Sequence, residues 1–157
     1  MYLQVTGPRR RVPAGVLFSY ALVWRPDCQF KAMPGRIKVL IVEDDNALAQ
    51  MCAKLIRRRG YSAVVACCCR DALAIVQTAQ DVDVVISDVQ MPGMSGLQLL
   101  ARLHAIDGAL PIILMTGQAG VLNADEAHAL GAVECLAKPF DSDTLLCSVE
   151  RAFRMRN

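Results

Sequence analysis

Apolar residues in this chain gather into short runs, and each run ends on a polar residue with chemistry of its own. Residues 39–42 lead into Glu43, Asp44 and Asp45, and residues 82–86 lead to Asp88. Residues 112–115 lead to Thr116, and residues 133–137 lead to Lys138. Short continuous apolar runs are the pattern of strands buried on both faces of a parallel sheet. Between them the period changes. Leu48, Met51, Cys52, Leu55 and Ile56 repeat at helical spacing, and Gly60 is placed to end that helix. Residues 62–66 read as a second strand, and residues 70–79 as a second helix with Leu73 and Val76 inward. A third helix opens near Ser95 and carries Leu97, Leu100 and Leu103. A short fourth helix covers residues 123–130, and the last starts at an Asp141 cap and buries Leu145, Val149 and Phe153. Five strand–helix units predict an α/β domain, a five-stranded parallel sheet with helices on both faces.

In open sheets of this kind, ligands bind beyond the carboxyl ends of the strands. Four segments would deliver carboxylates, a hydroxyl and an ammonium to that edge. Glu43, Asp44 and Asp88 would crowd together, and like charges at short range raise one another's pKa. A divalent cation relieves the crowding, and an all-oxygen donor set points to Mg²⁺. Metal, the Lys138 ammonium and the Thr116 hydroxyl can together hold the oxygens of a transferring phosphoryl group. Asp88, on a strand expected to be central, is the carboxylate best placed to act as nucleophile. Asp45 reads instead as the cap of the helix that begins at Asn46.

These residues carry a family resemblance. Val39-Leu-Ile-Val-Glu-Asp-Asp45, Asp88-Val-Gln-Met-Pro-Gly-Met-Ser-Gly96, Leu114-Met-Thr-Gly117, Gly131-Ala132 and Lys138-Pro139-Phe140 resemble the receiver domain of two-component response regulators. The resemblance runs over residues 37–156 and implies a (βα)5 flavodoxin-like receiver fold. It implies Asp88 as phosphoacceptor and Mg²⁺ held by Glu43, Asp44, Asp88 and the Gln90 backbone carbonyl. Thr116 and Lys138 would contact the phosphoryl group, and the Lys138-Pro139 bond would be cis. A sensor histidine kinase or histidine phosphotransfer protein would donate the phosphoryl group. The face of the fourth helix, fifth strand and last helix would engage a downstream target. The implied role is a signalling domain that assists its own phosphorylation and dephosphorylation, not a free-standing enzyme.

One position departs from the pattern. Receivers usually carry an aromatic residue three positions before the lysine, and here that residue is Cys135. Either the switch then runs through backbone shifts of the fourth helix and fifth strand, or its amplitude is small.

Charge changes the picture at one end. The chain is formally +2, but residues 1–36 hold six Lys/Arg and one acid, a balance of +5, which leaves −3 for the remainder. A mildly acidic domain argues against a nucleic-acid-binding face. The leader is expected to be disordered, or to lie upstream of a natural start at Met33. Its charge-free stretch, residues 12–24, is too short to span a bilayer, so a cytoplasmic, membrane-free protein is expected. The chain stops just after the last helix, which predicts no output domain.

Seven cysteines, with Cys67, Cys68 and Cys69 consecutive, fit neither a disulfide framework nor a zinc motif. Cys52 and Cys147 fall on apolar helix positions as small core residues. The triplet is expected in a turn, where thiols near Arg70 would have lowered pKa values. His104 and His128 are read as partnerless surface or boundary residues. Two rival readings follow: a degenerate receiver acting as a cysteine-responsive interaction module, and a metal-dependent phosphohydrolase. Gln90 speaks against the second, standing where such enzymes place another acid.

Overall fold

The computed structural model describes residues 37–79, 81–117 and 124–156. The expectations for residues 1–36 and for Asn123 as the opening of the fourth helix lie outside them. Ten elements alternate strictly: β1 (Lys38–Val42), α1 (Asn46–Arg58), β2 (Ser62–Ala66), α2 (Cys69–Ala79), β3 (Val84–Asp88), α3 (Gly96–Ile106), β4 (Ile112–Thr116), α4 (Ala124–Ala129), β5 (Glu134–Ala137) and α5 (Ser142–Arg156). All strand pairs are parallel, in the order β2-β1-β3-β4-β5. The expected five-stranded α/β architecture is therefore present, with β3 at the centre.

Strand periodicity of two divides the core into two layers. Val39 and Ile41 of β1, with Val84, Ile86, Ile113 and Met115, pack under α1 and α5. Leu40 and Val42, with Val85, Ile112 and Leu114, pack under α2 and α3. β3 and β4 are buried at every position, as strands covered on both faces must be. Each fully buried aliphatic side chain of this kind contributes about 1.5–3 kcal/mol.

The helix termini are specified locally. Asp45 Oδ1 accepts from the amides of Ala47 and Leu48 at 2.9 and 3.2 Å, the cap expected for α1. Gly60, at φ 93°, stops it: its amide donates to Arg57 and the Tyr61 amide to Ile56, closing the last carbonyls in a Schellman motif. Ser95 and Gln98 form a reciprocal capping box that starts α3. No helix among the described residues is long and apolar enough to cross a membrane.

Packing corrects several details. Met51 is 45 % exposed. The buried face of α1 is centred on Ala49, Cys52, Ala53 and Ile56, which leaves Met51 to one side. Leu99, unassigned in the pattern, is fully buried, whereas Leu97, Leu73, Phe153 and Cys147 are only half-buried. α2 begins at Cys69, one residue earlier than the pattern indicates. The histidines are not partnerless. His128 Nδ1 lies 2.9 Å from the Ala132 carbonyl, and the His104 ring packs so closely on Gly131 that a Cβ there would meet it at 2.8 Å.

Candidate functional site

The carboxyl ends of the central strands meet beside the gap between β1 and β3, where the winding of the chain reverses, the place an open α/β sheet leaves for a ligand. Glu43 follows β1 directly, and its backbone amide donates to the Ala66 carbonyl at 3.2 Å, which fastens it to the end of β2. Asp88 closes β3. Thr116 closes β4, and its carbonyl accepts from the Lys138 amide at 2.7 Å, carrying the sheet alignment past β5 to Lys138. The Lys138-Pro139 bond is cis, as expected.

Side chains converge accordingly. Carboxylate oxygens of Glu43, Asp44 and Asp88 all lie within 4.8 Å of one another. Lys138 Nζ donates to Glu43 Oε2 at 2.7 Å and to Asp88 Oδ2 at 2.9 Å. Glu43 is 2 % exposed, Asp88 7 % and Thr116 5 %, while Asp44 faces solvent. The remaining oxygens are engaged from the backbone: Asp88 Oδ1 accepts from the Gln90 amide at 3.1 Å, and Glu43 Oε1 from the Asp45 amide at 3.2 Å.

The electrostatics follow from this crowding. Burial, and then the neighbouring Asp88 charge, raises the Glu43 pKa against the pull of Lys138. Burial disfavours the Lys138 ammonium, but its hydrogen bonds to Glu43 and Asp88 outweigh that, and its pKa is raised. Among the described residues, three oxygen acids in one small space with a single ammonium leave a net negative, hard-donor site. Those donors fit Mg²⁺, which binds through one or two carboxylates and keeps several waters.

Two more residues help to build the site, Gly96 at the end of the Asp88 motif and Ser87, to which no role was assigned. A Cβ on Gly96 would stand 2.1 Å from the Asp88 backbone oxygen, so only glycine lets α3 start against β3. Its signal was a glycine at the first helical position, where propensity disfavours one. Ser87, fully buried, donates its hydroxyl to the Asp88 carbonyl at 3.0 Å. No pattern announces it, since a serine inside an apolar run reads as an ordinary strand residue.

The cysteines sort differently from expectation. Cys69 is buried at the start of α2, and its Sγ donates to the Met94 carbonyl at 3.0 Å. Burial raises its pKa, with the Cys68 charge adding and Arg102 opposing, so the lowered value expected near Arg70 does not hold there. Cys67 is exposed and Cys68 half-buried. Cys135 lies half-buried in β5 opposite Leu114, and burial raises its thiol.

Comparison with known proteins points one way. A family model for the response regulator receiver domain matches residues 39–150. The C4-dicarboxylate transport transcriptional regulatory protein DctD of Pseudomonas aeruginosa is 38 % identical over 130 residues, which is 81 % of this chain and 27 % of that protein. The transcriptional regulatory protein FixJ of Bradyrhizobium diazoefficiens is 36 % identical over 118 residues, 74 % of this chain and 56 % of that one. The chain thus spans about a quarter to just over half the length of these curated relatives. Among solved structures, a response regulator receiver domain protein from Clostridium thermocellum superposes with TM-score 0.71 at 28 % identity, covering 75 % of this chain and 94 % of its own. The Vibrio cholerae chemotaxis protein CheY4 does so with TM-score 0.69 at 34 % identity, covering 75 % and 99 %.

Proposed function

This chain belongs to the response regulator receiver family, and from that premise we propose that Asp88 accepts a phosphoryl group from a phosphohistidine and thereby switches the binding of a downstream partner. The observation that carries the reading is the Lys138 ammonium held between Glu43 and Asp88, at 2.7 and 2.9 Å, over three clustered carboxylates.

Glu43, Asp44 and Asp88, with the Gln90 backbone carbonyl, would hold Mg²⁺, which when bound neutralises the acids and draws in a phosphoryl oxygen. The residues do the rest. An Asp88 carboxylate oxygen attacks phosphorus, the donor histidine nitrogen leaves with the bonding pair, and an aspartyl phosphate results. Lys138, already within hydrogen-bonding distance of Asp88, exchanges that contact for a phosphoryl oxygen. The Thr116 hydroxyl supplies a second donor. Both interactions exist only in the phosphorylated state, so they shift the population of an active conformer.

The donor would be a sensor histidine kinase or a histidine phosphotransfer protein, and the output face would be α4, β5 and α5. With Cys135 in place of an aromatic ring, the signal travels through backbone shifts of α4 and β5 rather than ring rotation. The domain acts in the cytoplasm, where phosphohistidine donors are recharged. Absence of direct nucleic-acid contact is proposed for this domain alone, since the transcriptional regulatory proteins DctD and FixJ extend well beyond the matched segment.

Intact mass after incubation with a small acyl phosphate tests the reading. One phosphoryl adduct, dependent on Mg²⁺ and absent from Asp88→Asn, is expected. No adduct on the native chain would point to a degenerate receiver.

A further inference from the structure

Six cysteines lie among the described residues, none in a disulfide, and packing separates them. Cys52 is fully buried, and that burial, with the Glu43 charge, pushes its thiol to about 11. Cys69 is buried and its thiol already donates to Met94. Cys135 and Cys147 are half-buried within β5 and α5. Cys67 and Cys68 alone share the bend between β2 and α2, one exposed and the other half-buried. Among the described residues, Cys67 and Cys68 are thus the one adjacent pair of cysteines packed in neither core layer.

Oxidation of that pair to a disulfide is opposed by geometry. Neighbouring Cα atoms stand about 3.8 Å apart across a trans peptide, whereas disulfides span about 4.4–6.8 Å. Joint coordination of one soft atom has no such limit, because bonds of about 2.3 Å from each sulfur allow a wider S···S separation. Among the described residues, the one group of three or more ligating side chains is Glu43, Asp44 and Asp88. The bend thus presents two thiols with no grouped third ligand, a donor set for a soft centre of low coordination number. Thiolates select such centres, monovalent copper among them.

The bend is also fastened at both ends to the acidic site. The Ala66 carbonyl accepts from the Glu43 amide at 3.2 Å, and Cys69 Sγ donates to Met94, in the loop that follows Asp88, at 3.0 Å. Cys67 and Cys68 lie between those anchors.

We propose that Cys67 and Cys68 form a dithiol clamp for soft, thiophilic centres, either monovalent copper or a trivalent arsenical, and that its filling alters the Asp88 site through these two contacts. The transmission half rests on the phosphoacceptor reading; the clamp itself does not. With an organoarsenic(III) oxide, two As–S bonds form while the As–O bonds break, and the oxygen leaves as water with both thiol protons. With monovalent copper, each thiol gives its proton to solvent as a Cu–S bond forms, and nothing is oxidised or reduced.

The test uses the full reduced chain with phenylarsine oxide, read by intact mass and proteolytic mapping, and with monovalent copper in competition with a chromophoric chelator. One centre per chain is expected on the peptide holding Cys67 and Cys68. Because both thiolates must grip together, Cys67→Ser or Cys68→Ser should each weaken binding by about a hundredfold. Binding of one probe and not the other assigns the clamp to that source. Binding by neither probe, binding that survives either substitution, or an adduct mapped to any other cysteine overturns the clamp. Filling the clamp should change the rate of phosphoryl adduct formation at Asp88 by about fivefold, and leave Cys67→Ser unresponsive. An unchanged rate in a filled native chain overturns transmission, whereas a chain that takes no phosphoryl group with its clamp empty overturns the phosphoacceptor reading instead.

Discussion

The α-carbon of Gly96 sits so close to the backbone of Asp88 that a Cβ would be 2.1 Å from the Asp88 oxygen and 2.9 Å from its carbonyl carbon. Both obstacles are main chain at the end of a central strand, so neither can rotate aside. Gly96→Ala must therefore push α3 away from β3. Overpacking of this kind costs about 1–3 kcal/mol or more. Urea unfolding should show that loss, and the phosphoryl adduct on Asp88 should fall with it. An alanine variant of native stability would mean that α3 moves freely at its start.

Among the described residues, Lys138 is the one ammonium bonded to Glu43 and Asp88. Removing it strands two buried carboxylates beside each other. Lys138→Met is expected to lose about 3–5 kcal/mol in a chelating buffer. Excess Mg²⁺ should restore part of that loss, by about 2.7 kcal/mol at a hundred times its dissociation constant. Unfolding curves with and without Mg²⁺ decide the matter. Equal stability of variant and native chain in the chelating buffer would refute the structural role of the pair.

Asp44 and Asp45 are adjacent and chemically identical, yet they should fail in opposite ways. Asp45 caps α1 through two backbone amides, so Asp45→Ala should cost about 1 kcal/mol of stability. Asp44 is exposed and belongs to the carboxylate cluster. Asp44→Asn should leave stability within about 0.5 kcal/mol while Mg²⁺ affinity falls. Calorimetric Mg²⁺ titration beside urea unfolding separates the two. The same profile for both variants would contradict this division.

That contrast also shows what was legible beforehand. The strand ends were readable because β3 and β4 are buried on both faces, which leaves no charged residue in β3 before Asp88 and no polar residue in β4 before Thr116. Placing those ends at one edge followed from the parallel order, and it brought together Glu43 and Lys138 across 95 positions of sequence. Met51 was misread because alanines carry the centre of the α1 face, and alanine is too small to mark a stripe. Ser87 escaped because a single buried hydroxyl leaves no periodic trace, and the close approach that requires glycine at Gly96, quoted only as the end of the Asp88 motif, leaves none either. The lowered pKa expected in the cysteine triplet assumed solvent at each thiol, whereas α2 begins one residue early and takes Cys69 into the core.

Away from the acidic edge, the Tyr61 hydroxyl donates to buried Glu150 at 2.9 Å, and Arg59 Nε donates to the same oxygen at 3.0 Å. This joins the end of α1 to α5. Burial, and next the bond to Glu150, raises the Tyr61 pKa above its usual 10.0. A raised folded-state value means the fold prefers the protonated phenol. The stabilisation is therefore complete below pH 10 and drains away as pH climbs through the folded value. Cys52 adds an earlier loss of the same sign, from its ordinary 9.0 to about 11. Arg59 stays charged throughout, since its bond to Glu150 outweighs burial and raises its pKa further. Tyr61→Phe should cost about 1.5–3 kcal/mol at neutral pH, the range for a hydrogen bond to a charged group. It should also flatten the decline above pH 10, leaving the portion that Cys52→Ala removes. Urea midpoints measured at pH 7 and at intervals between pH 9 and pH 11 give both quantities. A phenylalanine variant that declines as steeply as the native chain would place the alkaline sensitivity elsewhere.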